Sequence, residues 1–222
     1  NKLKSSPQKI LFGSCSHQDK AMPILKSIND EAADLFIFLG DNIYGDTKNM
    51  QDMAEKYQRL GNNSGIKKLR STTPTIAIWD DHDFGVNDCV PGPEIEKPAW
   101  KRKVWELYKQ NWVNPSYGGG EKQPGCWYDF MIGDVHFIML DGRYYRDLKG
   151  GSMLGPVQKA GARLLNYLLH HLGRRAGQWK LGREDRPVRP GQTSYTSLID
   201  EHAVLSSAVD THVSYFGVGN HT

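Results

Sequence analysis

Three apolar runs, each closed by a polar cluster, constrain the fold of this 222-residue chain more than any other feature. The runs are Lys9-Ile10-Leu11-Phe12, Leu35-Phe36-Ile37-Phe38-Leu39 and Thr75-Ile76-Ala77-Ile78-Trp79. They end in Gly13-Ser14-Cys15, Gly40-Asp41-Asn42-Ile43-Tyr44 and Asp80-Asp81-His82-Asp83. Short runs rich in branched and aromatic residues read as buried strands. Between them, Ala21 to Ala33 carries Ile24, Leu25 and Ile28 at helical spacing, and Met50 to Leu60 reads as a second helix. The third strand is reached through the breaker cluster Ser71-Thr72-Thr73-Pro74. Strands alternating with helices predict βαβ units and a parallel sheet, so the fold class is α/β. In such a sheet, ligands bind beyond the carboxyl ends of the strands. The three polar clusters meet there.

That edge would gather a thiol, several carboxylates, a phenol and an imidazole, a set that is costly to bury without a cation. Cys15 as a thiolate is a soft ligand for a transition metal, although a cysteine ending a strand also packs well as a small hydrophobe. Asp41 can bridge two cations with its two oxygens, and Tyr44 offers a hard oxygen suited to a high-valent ion such as ferric iron. The competing reading of Asp41 is an Asx turn that bonds nearby amides. Asp80, Asp81, His82 and Asp83 crowd three carboxylates and an imidazole into four residues, and such like charges resist joint ionisation unless a cation intervenes. Asp80 and Asp81 are therefore metal candidates. His82 is placed to bond a phosphate oxygen or a leaving group. Asn87 and Asp88 on the next loop are further candidates.

Composition sets the outer bounds. With 38% hydrophobic and 24% charged residues, the chain has material for a core. A net charge of +3 is too small to argue for a nucleic-acid partner, and no apolar run has membrane-spanning length. Cys15, Cys89 and Cys126 follow no disulfide or zinc-finger spacing. The chain opens on Asn1 without a signal-peptide pattern, which points to a processed form or a fragment. Further along, Pro98 opens a helix with Trp100, Val104, Leu107 and Tyr108 on one face, and Gly133-Asp134 joins the strands Cys126–Ile132 and Val135–Leu140 into a hairpin. Pro156 to Leu172 reads as helix. Residues 161–190 then hold seven Lys or Arg against Glu184 and Asp185, and Arg174 to Gly191 has no period. The expected organisation is a core over residues 1–172 followed by a divergent or truncated segment over 173–222.

Five segments in order carry a resemblance to the PhoD-like alkaline phosphatase/phosphodiesterase family of calcineurin-like metallophosphoesterases. They are Phe12-Gly13-Ser14-Cys15-Ser16, Leu39 to Asp46, Trp79 to Asp83, Met139 to Arg146 and Met153 to Gln158. The resemblance covers residues 9 to about 160. It implies an αββα sandwich, incomplete here at its C-terminal end, and a dinuclear centre of Fe(III) and Ca(II), other divalent metals being possible. Cys15, Asp41 and Tyr44 would hold the ferric-type ion, with Asp41 reaching the second metal. Asp81 stands where the superfamily uses an asparagine ligand, and His82 where it uses a phosphate-facing histidine. Arg143 would lie near the site, its fork either holding phosphate oxygens or pairing with Asp141. The implied reaction is hydrolysis of phosphate mono- or diesters by a metal-bound hydroxide, with a secreted or periplasmic location.

The ending departs from that pattern. Family members finish the site with a late Gly-Asp-x-His turn. Here Gly133-Asp134-Val135-His136 falls inside the hairpin and is not expected to bind metal. Asp210-Thr211-His212 imitates the motif without its glycine, which leaves His212 as the late candidate ligand. The chain is therefore either a truncated or altered member or a compact variant that completes its site differently. The alternative function is a metal- or phosphate-binding protein with little turnover. The natural ester and the oligomeric state are not written in the sequence.

Overall fold

Every residue of Leu35–Leu39 (β2) is apolar because this strand is covered on both faces. The structure is a computed structural model that describes residues 9–132, 135–147, 149, 153–161 and 212–215, the last four by backbone alone. Lys9–Gly13 (β1) runs parallel to β2 with Leu11 opposite Phe36, and Thr75–Ile78 (β3) pairs on its other side with Ile76 opposite Ile37. His212–Tyr215 (β6) lies parallel to β1, giving the order β3-β2-β1-β6. This is the expected α/β arrangement. All described strands of the sheet point their carboxyl ends the same way.

The alternation of side chains across a strand sorts β2 into two cores. Phe36 and Phe38 join Leu11 and Ala77 against the helices Ile24–Asp30 (α1), Met50–Asn62 (α2), Ser64–Thr72 (α3) and Trp100–Asn111 (α5). Leu35 and Ile37 face the opposite way, against Tyr128, Ile132 and Met139 of the antiparallel hairpin Tyr128–Ile132 (β4) and Val135–Met139 (β5). Three layers of an αββα sandwich are thus present among the described residues: helices, parallel sheet and hairpin.

Three elements differ from the sequence expectation. The segment Ala21 to Ala33 is helical only over α1, because Pro23 stands at its start. The segment before β3 contains α3, which the breaker cluster had concealed. Asn63 starts that helix by accepting from the amides of Gly65 (2.9 Å) and Ile66 (3.2 Å), and Ile66 and Leu69 are then buried. The acidic cluster itself opens a short helix, Asp81–Phe84 (α4). The chain divides into two compact units, Asn1–Gly155 with Asp210–Thr222 and Pro156–Val209. In the second unit residues 156–161 are helical. The rest of the expected helix to Leu172, the boundary near it and the Arg174 to Gly191 stretch lie outside the described residues.

Strand β3 lies at the sheet edge, where unpaired backbone groups are a liability. The side chain of Asn114 closes this one: its Oδ1 accepts from Ala77 N at 2.9 Å and its Nδ2 donates to Ala77 O at 2.9 Å. The hydroxyls of Tyr108 and Tyr128 donate to the same carbonyl at 2.7 and 3.0 Å. Asn114→Ala strands the Ala77 amide while leaving its carbonyl bonded. Urea unfolding should show a loss of about 1–3 kcal/mol, the cost of one buried unsatisfied group. A variant as stable as the parent would show that water replaces the amide.

Candidate metal centre

The turn after β1 and the turn after β2 are joined through their backbones. The Cys15 amide donates to Gly40 O at 3.2 Å, and the Ser16 amide to Asp41 O at 2.8 Å. Reaching this pairing puts Cys15 (φ 61°) and Asp41 (φ 51°) in the left-handed region, where a side chain is strained. Gly40 (φ 100°) lets the second turn meet the third: a Cβ there would sit 2.7 Å from Asp80 Cβ and 3.1 Å from the Trp79 carbonyl carbon. The third turn is locked by Asp83, which is fully buried. Its carboxylate accepts from the amides of Asn42 (3.0 and 3.1 Å), Ile43 (3.1 Å) and Asp80 (3.0 Å). Burial pushes the Asp83 carboxyl well up, and those amides pull it the other way.

The side chains so positioned converge. Cys15 Sγ lies 3.4 Å from Asp41 Oδ2, and the Tyr44 phenol is near enough to both for their charges to act on it. Ligand atoms of Asp41, Asp81 and His82 lie within 4.8 Å of one another. The Tyr44 ring is sandwiched between His17 and His82, with centroids 4.6 and 4.2 Å away. Four of the seven metal candidates, Cys15, Asp41, Tyr44 and Asp81, are therefore neighbours, with His82 beside them. The other three stand differently. Asp80 is tied to Arg143 Nε, and Asn87 is exposed and donates to Asp88 at 3.0 Å. The backbone of His212 is paired with Lys9, at the amino end of β1. The site is at the other end, about 13 Å along the strand at 3.3 Å per residue.

Arg143 does not pair with Asp141 through its guanidinium. It reaches Asp80 and, through Nη2 at 3.4 Å, Asp81 Oδ1. Asp141 instead accepts from Trp79 Nε1 (2.8 Å) and from the amides of Cys126, Arg143 and Tyr144 (2.9, 2.8 and 3.0 Å). Three residues support the cluster in ways that the sequence does not show. Asp46 (φ 50°) holds His82 Nδ1 at 2.6 Å. The buried side-chain amide of Gln18 clasps the Tyr44 backbone, accepting from its N–H at 2.8 Å and donating to its carbonyl at 3.3 Å. Asp83 is the third. Asp83 is visible in the third acidic cluster and Asp46 ends the Leu39 to Asp46 segment, but their partners Asn42 and His82 lie 41 and 36 residues away; Gln18 carries no sequence signal.

The electrostatics favour a cation. Burial, followed by the charges of Asp80 and Asp81, pushes the Asp41 carboxyl up. Burial likewise raises the Cys15 thiol and the Tyr44 phenol, with Asp41 adding to both. Burial also acts on Asp81, yet the Asp88 amide and Arg143 hold it below the ordinary carboxylate range. Asp41 Oδ1 is buried and accepts no hydrogen bond from the described residues. A buried carboxylate oxygen with a free lone pair, beside a thiol, a phenol and an imidazole, fits a transition-metal ion.

A profile of PhoD-like phosphatases matches residues 10–190. The chain belongs to the PhoD-like phosphatase family. A solved structure titled "Structure of PhoD" is similar over 78% of this chain, with 19% identity and a TM-score of 0.58. At that identity the likeness speaks for the fold. The PhoD-like chain spans 40% of the length of that protein. No curated protein matches it.

Two outcomes are expected of the PhoD-like chain. Iodoacetamide should modify Cys15 first, since Cys89 and Cys126 are buried. The rate should keep rising past the ordinary thiol pKa of about 8.5, and added zinc or ferric ion should block it; mass spectrometry reads both effects. Asp83→Ala should lose several kcal/mol in urea unfolding, at about 1–3 for each stranded amide, and Asp83→Asn should recover part of it. An unchanged midpoint would remove Asp83 from its locking role.

Proposed function

We propose that the chain hydrolyses phosphate mono- or diesters with the help of a dinuclear metal centre. The observation that carries this is the clustering of Cys15, Tyr44, Asp81 and His82 about the Asp41 carboxylate at the carboxyl edge of the sheet; the buried Oδ1 of that carboxylate has no hydrogen-bond partner among the described residues. Membership in a phosphatase family supports it. Cys15, Asp41 and Tyr44 would hold a ferric-type ion, and Asp41 with Asp81 a second one, calcium by resemblance. Bound there, such ions supply positive charge for the phosphoryl oxygens and acidify water for attack.

The remaining chemistry belongs to the chain. Among the described residues the buried Arg143 Nη1 has no hydrogen-bond partner, while the other nitrogens of the guanidinium neutralise Asp80 and Asp81. A phosphate oxygen that reached this nitrogen would complete its hydrogen bonding. The Asp46 carboxylate accepts from His82, which requires the proton on Nδ1 and leaves Nε2 for the ester. In its cationic form His82 would hand a proton from Nε2 to the departing alkoxide, with Asp46 steadying the charge. The Tyr44 ring between His17 and His82 fixes the plane of the imidazole. Action outside the cytoplasm is part of the same proposal and rests on the family resemblance. Among the described residues no helix is long and apolar enough to cross a membrane.

A second reading has its own support. The His212 backbone stands at the far end of β1 from the cluster, so the late candidate ligand is not beside the other candidates. On that reading the site binds metal or phosphate without turnover. Metal analysis of the purified chain together with hydrolysis of bis(p-nitrophenyl) phosphate separates the two. The hydrolase reading expects bound metal, turnover lost on chelation and in Asp41→Ala, and a kcat about 100-fold lower in Asp46→Asn with KM held. Metal binding with no turnover of any ester leaves the second reading. Asp41→Ala retaining most activity would place the chemistry elsewhere.

A further inference from the structure

Beside the metal candidates, a cavity of about 470 Å³ opens between α1 and the helix-facing side of β2. Its mouth is polar and includes Cys15 and Tyr44, so it is continuous with the cluster described above. Its walls are not polar: Ile24 and Ile28 of α1 face Phe36 and Phe38 of β2. Protein interiors rarely keep voids much larger than a water molecule, and an apolar wall gives water few partners. The volume falls in the range of small-ligand sites, which are apolar with a few polar groups at one end. Here those polar groups are the residues proposed to hold the metals. Exposed Lys20 also stands at the mouth, adding a positive charge where an anion would enter.

We propose that this cavity receives the alkyl arm of a phosphate ester whose phosphate rests at the Cys15–Tyr44 mouth. The inference rests on the phosphate-ester reading of the cluster and narrows it to esters that carry an apolar chain. The phosphate stays at the polar mouth because the walls offer it no hydrogen-bond donors. The chain leaves water because burying each methylene is favourable. Buried Ile28, Phe36 and Phe38 close around the inner end, so the gain must stop once the space is filled.

The test is calorimetric titration of the full chain with alkylphosphonates from methyl to octyl, which cannot be hydrolysed, with and without added metal. Affinity should rise about three- to fourfold per methylene and then level off. Ile24→Trp fills the cavity from a half-buried position outside the cluster. It should flatten the series while leaving the affinity for methylphosphonate unchanged. Met22→Trp, from the loop before α1, serves the same purpose should the first variant unfold in a thermal melt. Equal affinity for methyl- and octylphosphonate, or a slope that survives in both filled variants, overturns the proposal. Turnover of p-nitrophenyl methyl phosphate without any chain-length slope removes the alkyl arm and leaves the hydrolase reading intact. A slope with no turnover of any ester supports the cavity and removes the hydrolase reading.

Discussion

The carboxylate of Asp83 is the interaction on which the site depends. It is buried beneath the cluster and takes hydrogen bonds from the amides of two turns, Asn42 and Ile43 after β2 and Asp80 after β3. A buried acceptor with this many donors is expensive to disturb, because each amide left alone keeps its full desolvation cost. Gly40 supplies the complementary condition, since a side chain there would collide with Asp80 and Trp79. Together they fix the distance between Asp41 and Asp81.

That closeness has a cost, and the structure holds it in two forms. Burial, with charges of one sign facing each other, pushes the Asp41 carboxyl, the Cys15 thiol and the Tyr44 phenol toward their protonated states. Backbone strain is the second form. Cys15, Asp41 and Asp46 all adopt left-handed conformations, each costing on the order of 1–3 kcal/mol. Such strain persists only where surrounding hydrogen bonds over-determine the backbone, as the Cys15–Gly40 and Ser16–Asp41 bonds do here. A cation would relieve the first cost and give the second a purpose.

Polar side chains inside the fold do related work further out. Lys101 is fully buried, its ammonium donating to the carbonyls of Gly92 (2.9 Å) and Glu94 (2.6 Å) and lying 4.5 Å from the Tyr144 ring centroid. Burial lowers its pKa to about 8. It anchors the glycine- and proline-rich loop that follows α4, whose Asp88 amide in turn holds Asp81 at 2.6 Å. Asp141 gathers Trp79 and three amides in the same manner and thereby aims Arg143 at Asp80 and Asp81. The PhoD-like scaffold thus reaches its site through buried polar hubs as well as through its apolar layers.

The sequence by itself determined the parallel α/β core, because strand and helix periods and the residues that close each strand are local properties. It also determined that Cys15, Asp41, Tyr44 and Asp81 would meet, since parallel strands leave no other edge for their ends. It did not reveal α3, whose start depends on a single asparagine cap, nor the pairing of Arg143 with Asp80 and Asp81 in place of Asp141. Tertiary structure decided those points, and it alone brought Gln18, Asp46 and Asp83 into the support of the cluster. The His212 motif shows the limit from the other side. Its residues imitated a ligand turn, but the register of β6 against β1 sets its backbone at the amino end of the sheet. Residue type and spacing specify what a side chain can do; register and long-range hydrogen bonds decide which end of the sheet it does it from.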